Sequence, residues 1–155
     1  MNLSKNLPLK EVTKSNTATL NGIDNSPSGE HLLNLYYLAK NVFQPLRDHF
    51  DTPIGVSSGY RSKELNKLIG GSKTSQHCNG EAIDLDADIY GKLSNADIFN
   101  YIKDNLEFDQ LIWEFGNETK PDWVHVSIKE KGVNRKQILR AIRVNKKQTY
   151  VLFDL

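Results

Sequence analysis

Cysteine is nearly missing from this sequence, and its one instance, Cys78, has no second cysteine to pair with. A fold stapled by internal disulfides is thereby excluded. Long apolar runs are missing too: the opening MNLSKNLPLKEVTKSNTATLNGIDNSP holds no stretch of the length that a signal peptide or a membrane span needs. Synthesis in the cytoplasm without a signal peptide is therefore expected, with no membrane insertion and another export route for any action outside the cell. An excess of either charge is absent, since 20 Lys and Arg stand against 19 Asp and Glu, a formal net charge of +1. Nothing in that balance calls for nucleic acid as a partner. The basic residues near the end (Arg135, Lys136, Arg140, Arg143, Lys146 and Lys147) alternate with apolar ones and read as the solvated face of strands. Repeats, low-complexity tracts and long linkers are also lacking, so residues 1–155 read as one domain, with a polar leader over 1–25.

What is present suits a folded protein: 38% hydrophobic and 25% charged residues are ordinary globular proportions. After the leader, Leu32, Leu35, Tyr36, Ala39, Val42, Phe43 and Leu46 recur at helical intervals, and Pro45 is expected to kink or end that helix near its last turn. PIGVSS reads as a short strand, and SKELNKLIGG as a short helix with a serine cap and a glycine stop. SNADIFNYIKDNLEF starts with cap residues and spaces Ile98, Phe99, Ile102 and Leu106 as an amphipathic helix does. Five short runs, EAIDLDA, QLIWEF, WVHVSI, ILRAIRV and TYVLFDL, read as strands. Helices mostly first and neighbouring strands last predict an α+β fold, with helices on a central, mainly antiparallel sheet.

Chemistry gathers on two of those strands. In EAIDLDA, Ile83 and Leu85 take one face and leave Asp84 on the other; in WVHVSI, Val124, Val126 and Ile128 take one face and leave His125 on the other. His77 stands in the glycine-flanked loop that feeds the first of them. Two imidazoles and one carboxylate with a coordination position left open are what a catalytic zinc needs. Cys78, beside His77, lacks the electropositive helix-terminal setting that activates a thiol and reads as incidental.

Three blocks give these residues a resemblance. Ser75-Gln76-His77-Cys78-Asn79-Gly80-Glu81-Ala82-Ile83-Asp84 matches Ser-x-His-x(6)-Asp, Asp122-Trp123-Val124-His125 matches acid-x-x-His, and SGYRSKELNKLIGGSKTSQH carries Arg61. In this order, between Ser57 and Ser127, they resemble the M15 family of zinc peptidases, the D-Ala-D-Ala carboxypeptidase, dipeptidase and L-Ala-D-Glu endopeptidase group. The leading helix and NGIDNSP look like the short, single-domain branch found in phage genomes.

The resemblance implies a fold of the Hedgehog and D-Ala-D-Ala peptidase type, one Zn2+ per chain on His77, Asp84 and His125, and a monomer acting on peptidoglycan stem peptides. It implies Asp122 as general base, Arg61 at the substrate carbonyl or developing oxyanion, and Ser75 as a substrate-binding residue. Action on the bacterial cell wall, as a phage lysin or virion component, follows from the same likeness.

Each residue also has a plainer reading. His77 suits a loop cap, Asp84 a strand-end turn with Asp86 as the alternative ligand, and His125 an exposed cross-strand neighbour. Asp122 after Pro121 is an ordinary turn residue, and Arg61 is placed to pair with Glu64. Glu114 is a rival base or a partner to a ligand histidine, and the supporting role is favoured. His31 and His49 belong to no cluster. A non-catalytic module on the same fold, as the related Hedgehog signalling domain illustrates, is the competing function; Asp122 beside the three ligands favours an enzyme.

Overall fold

The apolar residues spaced at helical intervals build the longest helical run in the computed structural model, which describes residues 1–154. In chain order the elements are β1 (Asn2–Ser4), β2 (Leu7–Pro8), α1 (Leu9–Thr13), α2 (Asn16–Leu20), α3 (Glu30–Leu38), α4 (Gln44–Phe50), β3 (Gly55–Ser58) and α5 (Lys63–Leu68). There follow β4 (Ala82–Asp86), α6 (Asn95–Asn105), β5 (Gln110–Glu114), β6 (Trp123–Ser127), β7 (Gln137–Val144) and β8 (Lys147–Leu152). The strand read in TYVLFDL extends on paper to Leu155, which lies outside the described residues.

Pro45 does not end its helix. A turn of π-helix at Ala39–Phe43 joins α3 to α4, and the Gln44 N–H bonds back to the Ala39 carbonyl. That wider turn sits just before Pro45, which then occupies the first turn of α4, where a missing N–H costs little. The run continues to Phe50 and keeps Leu35, Leu38, Val42, Phe43 and Leu46 almost wholly buried. Each such side chain contributes about 1.5–3 kcal/mol by leaving water. The two shorter helices form as their caps predict: Ser62 Oγ accepts from Leu65 N at 3.2 Å, and Ser94 and Asp97 make a reciprocal capping box at the head of α6.

Strand order in the main sheet is β3-β4-β6-β5-β7-β8, and every neighbouring pair is antiparallel except β5 and β7. One sheet face sends Val56, Ile83, Leu85, Leu111, Trp113, Val124 and Val126 into the core, against the α3–α4 run and α6. The opposite face is thereby left to polar groups. The stretch read as a polar leader is folded: Leu3, Leu7 and Val12 belong to the core, and the Val12 carbonyl accepts from Tyr60 N at 2.7 Å. Its apolar residues stand singly among polar ones, so no periodicity announced them. Among the described residues, no helix is long and apolar enough to cross a membrane.

Candidate metal centre

Strand pairing does the first part of the assembly. Asp84 on β4 lies directly opposite His125 on β6, and Asp84 Oδ1 is 3.0 Å from His125 Nδ1. Because Ile83, Leu85, Val124 and Val126 are drawn into the core, the pleat turns both polar side chains to the other face. The expected parity is therefore what the sheet adopts.

His77 arrives from a 3-10 turn at Gln76–Asn79 that Gly80 closes at φ 73°. A Cβ on Gly80 would lie 2.4 Å from the His31 carbonyl oxygen and 3.1 Å from Leu35 Cγ, so the turn is pressed against α3. His77 Nδ1 sits 2.7 Å from the Gly59 carbonyl, an acceptor, and that contact fixes the proton there. Nε2 is left with its lone pair, 3.4 Å from Asp84 Oδ1.

One donor atom from each of His77, Asp84 and His125 lies within 4.8 Å of the others, so the three could hold a metal ion. Two neutral nitrogens and one carboxylate oxygen, with a backbone carbonyl orienting the first imidazole, are a donor set that fits a divalent ion such as zinc. Burial pushes the Asp84 carboxyl up, but with the two imidazoles protonated the charge of His77 and the hydrogen bonds from both histidines outweigh it and hold the group well below the usual carboxylate range, and a cation bound between neutral imidazoles would act in the same direction. Asp84 is thus an anion and ready to ligate. Asp86, the alternative ligand, accepts instead from Asn95 Nδ2 at 3.1 Å, at the head of α6. Cys78 is buried, and burial raises its thiol pKa, as an inert thiol requires.

The three donors open onto a groove of about 770 Å³ that runs over the polar sheet face. Arg61 lines it, held by Ser58 Oγ at 3.2 Å and Asn66 Oδ1 at 3.4 Å, with Nη2 3.7 Å from Asp84 Oδ2. Its ion-pair partner is therefore Asp84 rather than Glu64. Ser75 lines the same groove one residue before the turn that carries His77. Arg135 lines the groove as well, and the fully buried Asp109 takes three contacts from its guanidinium and one from its backbone N–H.

Asp122 stands in the loop entering β6, as Pro121 led one to expect, but the structure does not bring it to the groove. Its backbone N–H donates to the Glu114 carbonyl and its carbonyl accepts from Asn95 Nδ2, both at 2.9 Å, while the residue is exposed and is not among those lining the groove.

Glu114 does line the groove. On β5, Ile112 opposes His125, and Glu114, two residues along, shares that face. It is only 5% exposed, and its Oε2 finds no hydrogen-bond partner among the described residues. Burial pushes its carboxyl up to about 7; the positive charge of His125 opposes the rise and the negative charge of Asp84 adds to it.

Sequence reasoning missed Tyr150. Ala141 on β7 lies opposite both Glu114 and Tyr150, so the phenol on β8 reaches the groove across one small side chain. Burial raises its pKa, and the charges of Glu114 and Asp84 raise it further. Nothing in TYVLFDL beyond strand composition signalled this role.

A family model described as Peptidase M15 matches residues 5–127 of the chain. No curated protein matches it.

Proposed function

The chain belongs to the M15 peptidases, and from that premise we propose that it is a zinc-dependent peptidase that hydrolyses a peptide bond in bacterial peptidoglycan stem peptides. The observation that carries this reading is the donor trio of His77, Asp84 and His125 opening on a groove of about 770 Å³. Those three residues would hold the ion. Zinc bound there supplies a Lewis acid for the scissile carbonyl and lowers the pKa of its water toward neutrality.

The protein's own groups do the rest. Arg61, fixed by Ser58 and Asn66, presents a cation to the carbonyl oxygen as negative charge develops on it. Ser75 offers a hydroxyl to a substrate polar group. Gln76, Gln110, Lys129 and Arg135 line the other end, donors suited to the carbonyls and carboxylates of a stem peptide. For the proton-taking carboxylate, the resemblance points to Asp122 and the groove to Glu114. Carboxypeptidase and L-Ala-D-Glu endopeptidase action both fit this arrangement. We place the protein, as a monomer, at the bacterial cell wall, in the role of a phage lysin or virion component.

One observation favours a second reading, a zinc-containing binding or virion structural module: the expected base Asp122 lies outside the groove. The two part on one experiment, zinc content and muropeptide release measured on the same purified sample. Near one zinc per chain with a released product supports the peptidase, and the product mass names the bond. Zinc without product favours the module, and a protein that cannot be loaded with zinc overturns the site itself.

A further inference from the structure

We propose that Asn66 is a positioning residue that joins the Gly70–Ser75 loop of the groove to the guanidinium of Arg61, so that the place of the loop sets the aim of the cation. The proposal rests on the peptidase reading and adds to it a residue that acts through Arg61.

The side chain of Asn66 spans the two. It belongs to α5 and is buried, 5% exposed. Its Oδ1 accepts from Arg61 Nη1 at 3.4 Å, and its Nδ2 donates to the Ser72 carbonyl at 2.9 Å. One end of a planar amide thus meets the guanidinium and the other meets the loop. The reversed amide would set N–H against guanidinium and carbonyl against carbonyl, so only this orientation satisfies both. Asparagine is a poor residue inside a helix, and here its amide has two partners to serve.

Arg61 is held at three nitrogens. Ser58 Oγ accepts from Nε at 3.2 Å, Asn66 from Nη1, and Asp84 Oδ2 lies 3.7 Å from Nη2. Of these partners, Asn66 is the one bonded to the Gly70–Ser75 loop. At 3.4 Å its contact with Arg61 is near the limit of a hydrogen bond, so a small displacement of the amide is enough to lose it.

The loop presses on that amide from the other side. Gly71 N donates to the Asn66 backbone carbonyl at 2.9 Å, and a Cβ on Gly71 would run into Asn66 Oδ1 and lie 2.8 Å from its Cγ. Gly71 does not take a positive φ, so its missing side chain answers to the space the amide fills rather than to backbone conformation. The Ser72 carbonyl also accepts from Ser75 N at 3.1 Å, which ties the loop to the residue before the His77 turn. Gly70, Gly71, Ser72, Thr74 and Ser75 line the groove together with Arg61. A substrate in the groove therefore meets the loop and the cation at once, and the Asn66 amide keeps the two in one geometry.

Asn66→Ala and Gly71→Ala test this, each alone and combined with Arg61→Ala. Gly71→Ala leaves the Asn66 side chain in place and pushes its amide from the loop side. Zinc per chain, kcat and KM are measured on whichever muropeptide the wild type cleaves. Independently of turnover, the Arg61 Nε–H resonance of the zinc-loaded protein is assigned by its loss in Arg61→Ala, and its heteronuclear NOE reports how firmly the guanidinium is held. The expected result is kcat lowered about 10–10²-fold in both single variants, with zinc content and KM little changed. Neither change should lower kcat further in the Arg61→Ala background, and the Arg61 NOE should fall in both single variants. Equal losses of kcat with and without Arg61 would make Asn66 a merely structural residue and overturn the proposal. An unchanged kcat, an unmoved Arg61 NOE, or a loss carried by KM would overturn it as well. If one variant does not fold or hold zinc, the other decides by the same readings, and failure of both to fold counts against the proposal outright. If the Arg61 NOE falls as expected but wild type releases nothing from any muropeptide, the peptidase reading fails while the link between the loop and Arg61 stands.

Discussion

Asp84 and His125 face each other across two antiparallel strands, with carboxylate and imidazole 3.0 Å apart. Their separation is set by the backbone ladder between β4 and β6 rather than by a flexible loop. Only the third donor, His77, depends on a turn for its position. Rigid elements thus carry two-thirds of the donor set, which lowers the reorganisation that metal binding demands.

Zinc should therefore act as a folding ligand. Thermal melts of the metal-free protein should rise on adding Zn2+ and fall back with a chelator, the gain reaching about 4 kcal/mol when free zinc is a thousandfold above its dissociation constant. Asp84→Ala should melt at the same temperature with and without Zn2+. A wild-type melt indifferent to both zinc and chelator would exclude the site.

Gly80 presses the turn of His77 against α3, with room for no side chain and a positive φ. Gly80→Ala should cost about 1–3 kcal/mol in denaturant unfolding and should weaken zinc binding, because His77 moves with the turn. Unchanged values in both titrations would show that the turn tolerates the shift.

Arg61 is aimed by Ser58 and Asn66 as a planar fork. Arg61→Ala should lower kcat by about 10²–10³-fold while zinc content holds, and Arg61→Lys should restore little, since a single ammonium cannot keep both contacts. Steady-state kinetics with metal analysis on each variant decides the point.

Asp109 provides a pH prediction. Burial pushes its carboxyl up, but the hydrogen bonds and charge of Arg135 more than compensate and hold it at about 2 against an ordinary 3.8. A folded-state pKa below the unfolded one stabilises fully above about pH 4 and is lost as pH falls toward 2. Asp109→Asn should cost roughly 2 kcal/mol at neutral pH and should flatten the acid limb of a stability-against-pH curve. Parallel acid limbs in the two proteins would count against the assignment.

Much of this was legible in the sequence, wherever one physical pattern dominated. The alternation around Asp84 and His125 settled which face each side chain took, and Ser94 with Asp97 announced α6. Legibility failed where several weak effects combined. Pro45 was read by its own geometry, whereas the π turn before it absorbs the defect. Leu3, Leu7 and Val12 enter the core one at a time, without a period. Asp122 was assigned by resemblance and placed in the loop entering β6, where it lies, but spacing along the chain does not say which way a loop side chain turns. Glu114 shares the parity of Ile112 in QLIWEF, and its burial at the groove is something that composition does not encode.

The β7–β8 hairpin turns through Asn145 and Lys146, both with positive φ, and contributes Leu139, Gln148 and Tyr150 to the groove. All of it lies beyond residue 127, where the family match stops, while every metal donor lies before. The candidate metal donors and one wall of the groove are consequently written in separate stretches of chain. A graft that exchanges this hairpin for another should therefore reshape the groove and leave the three donors in place, so that the two can vary independently.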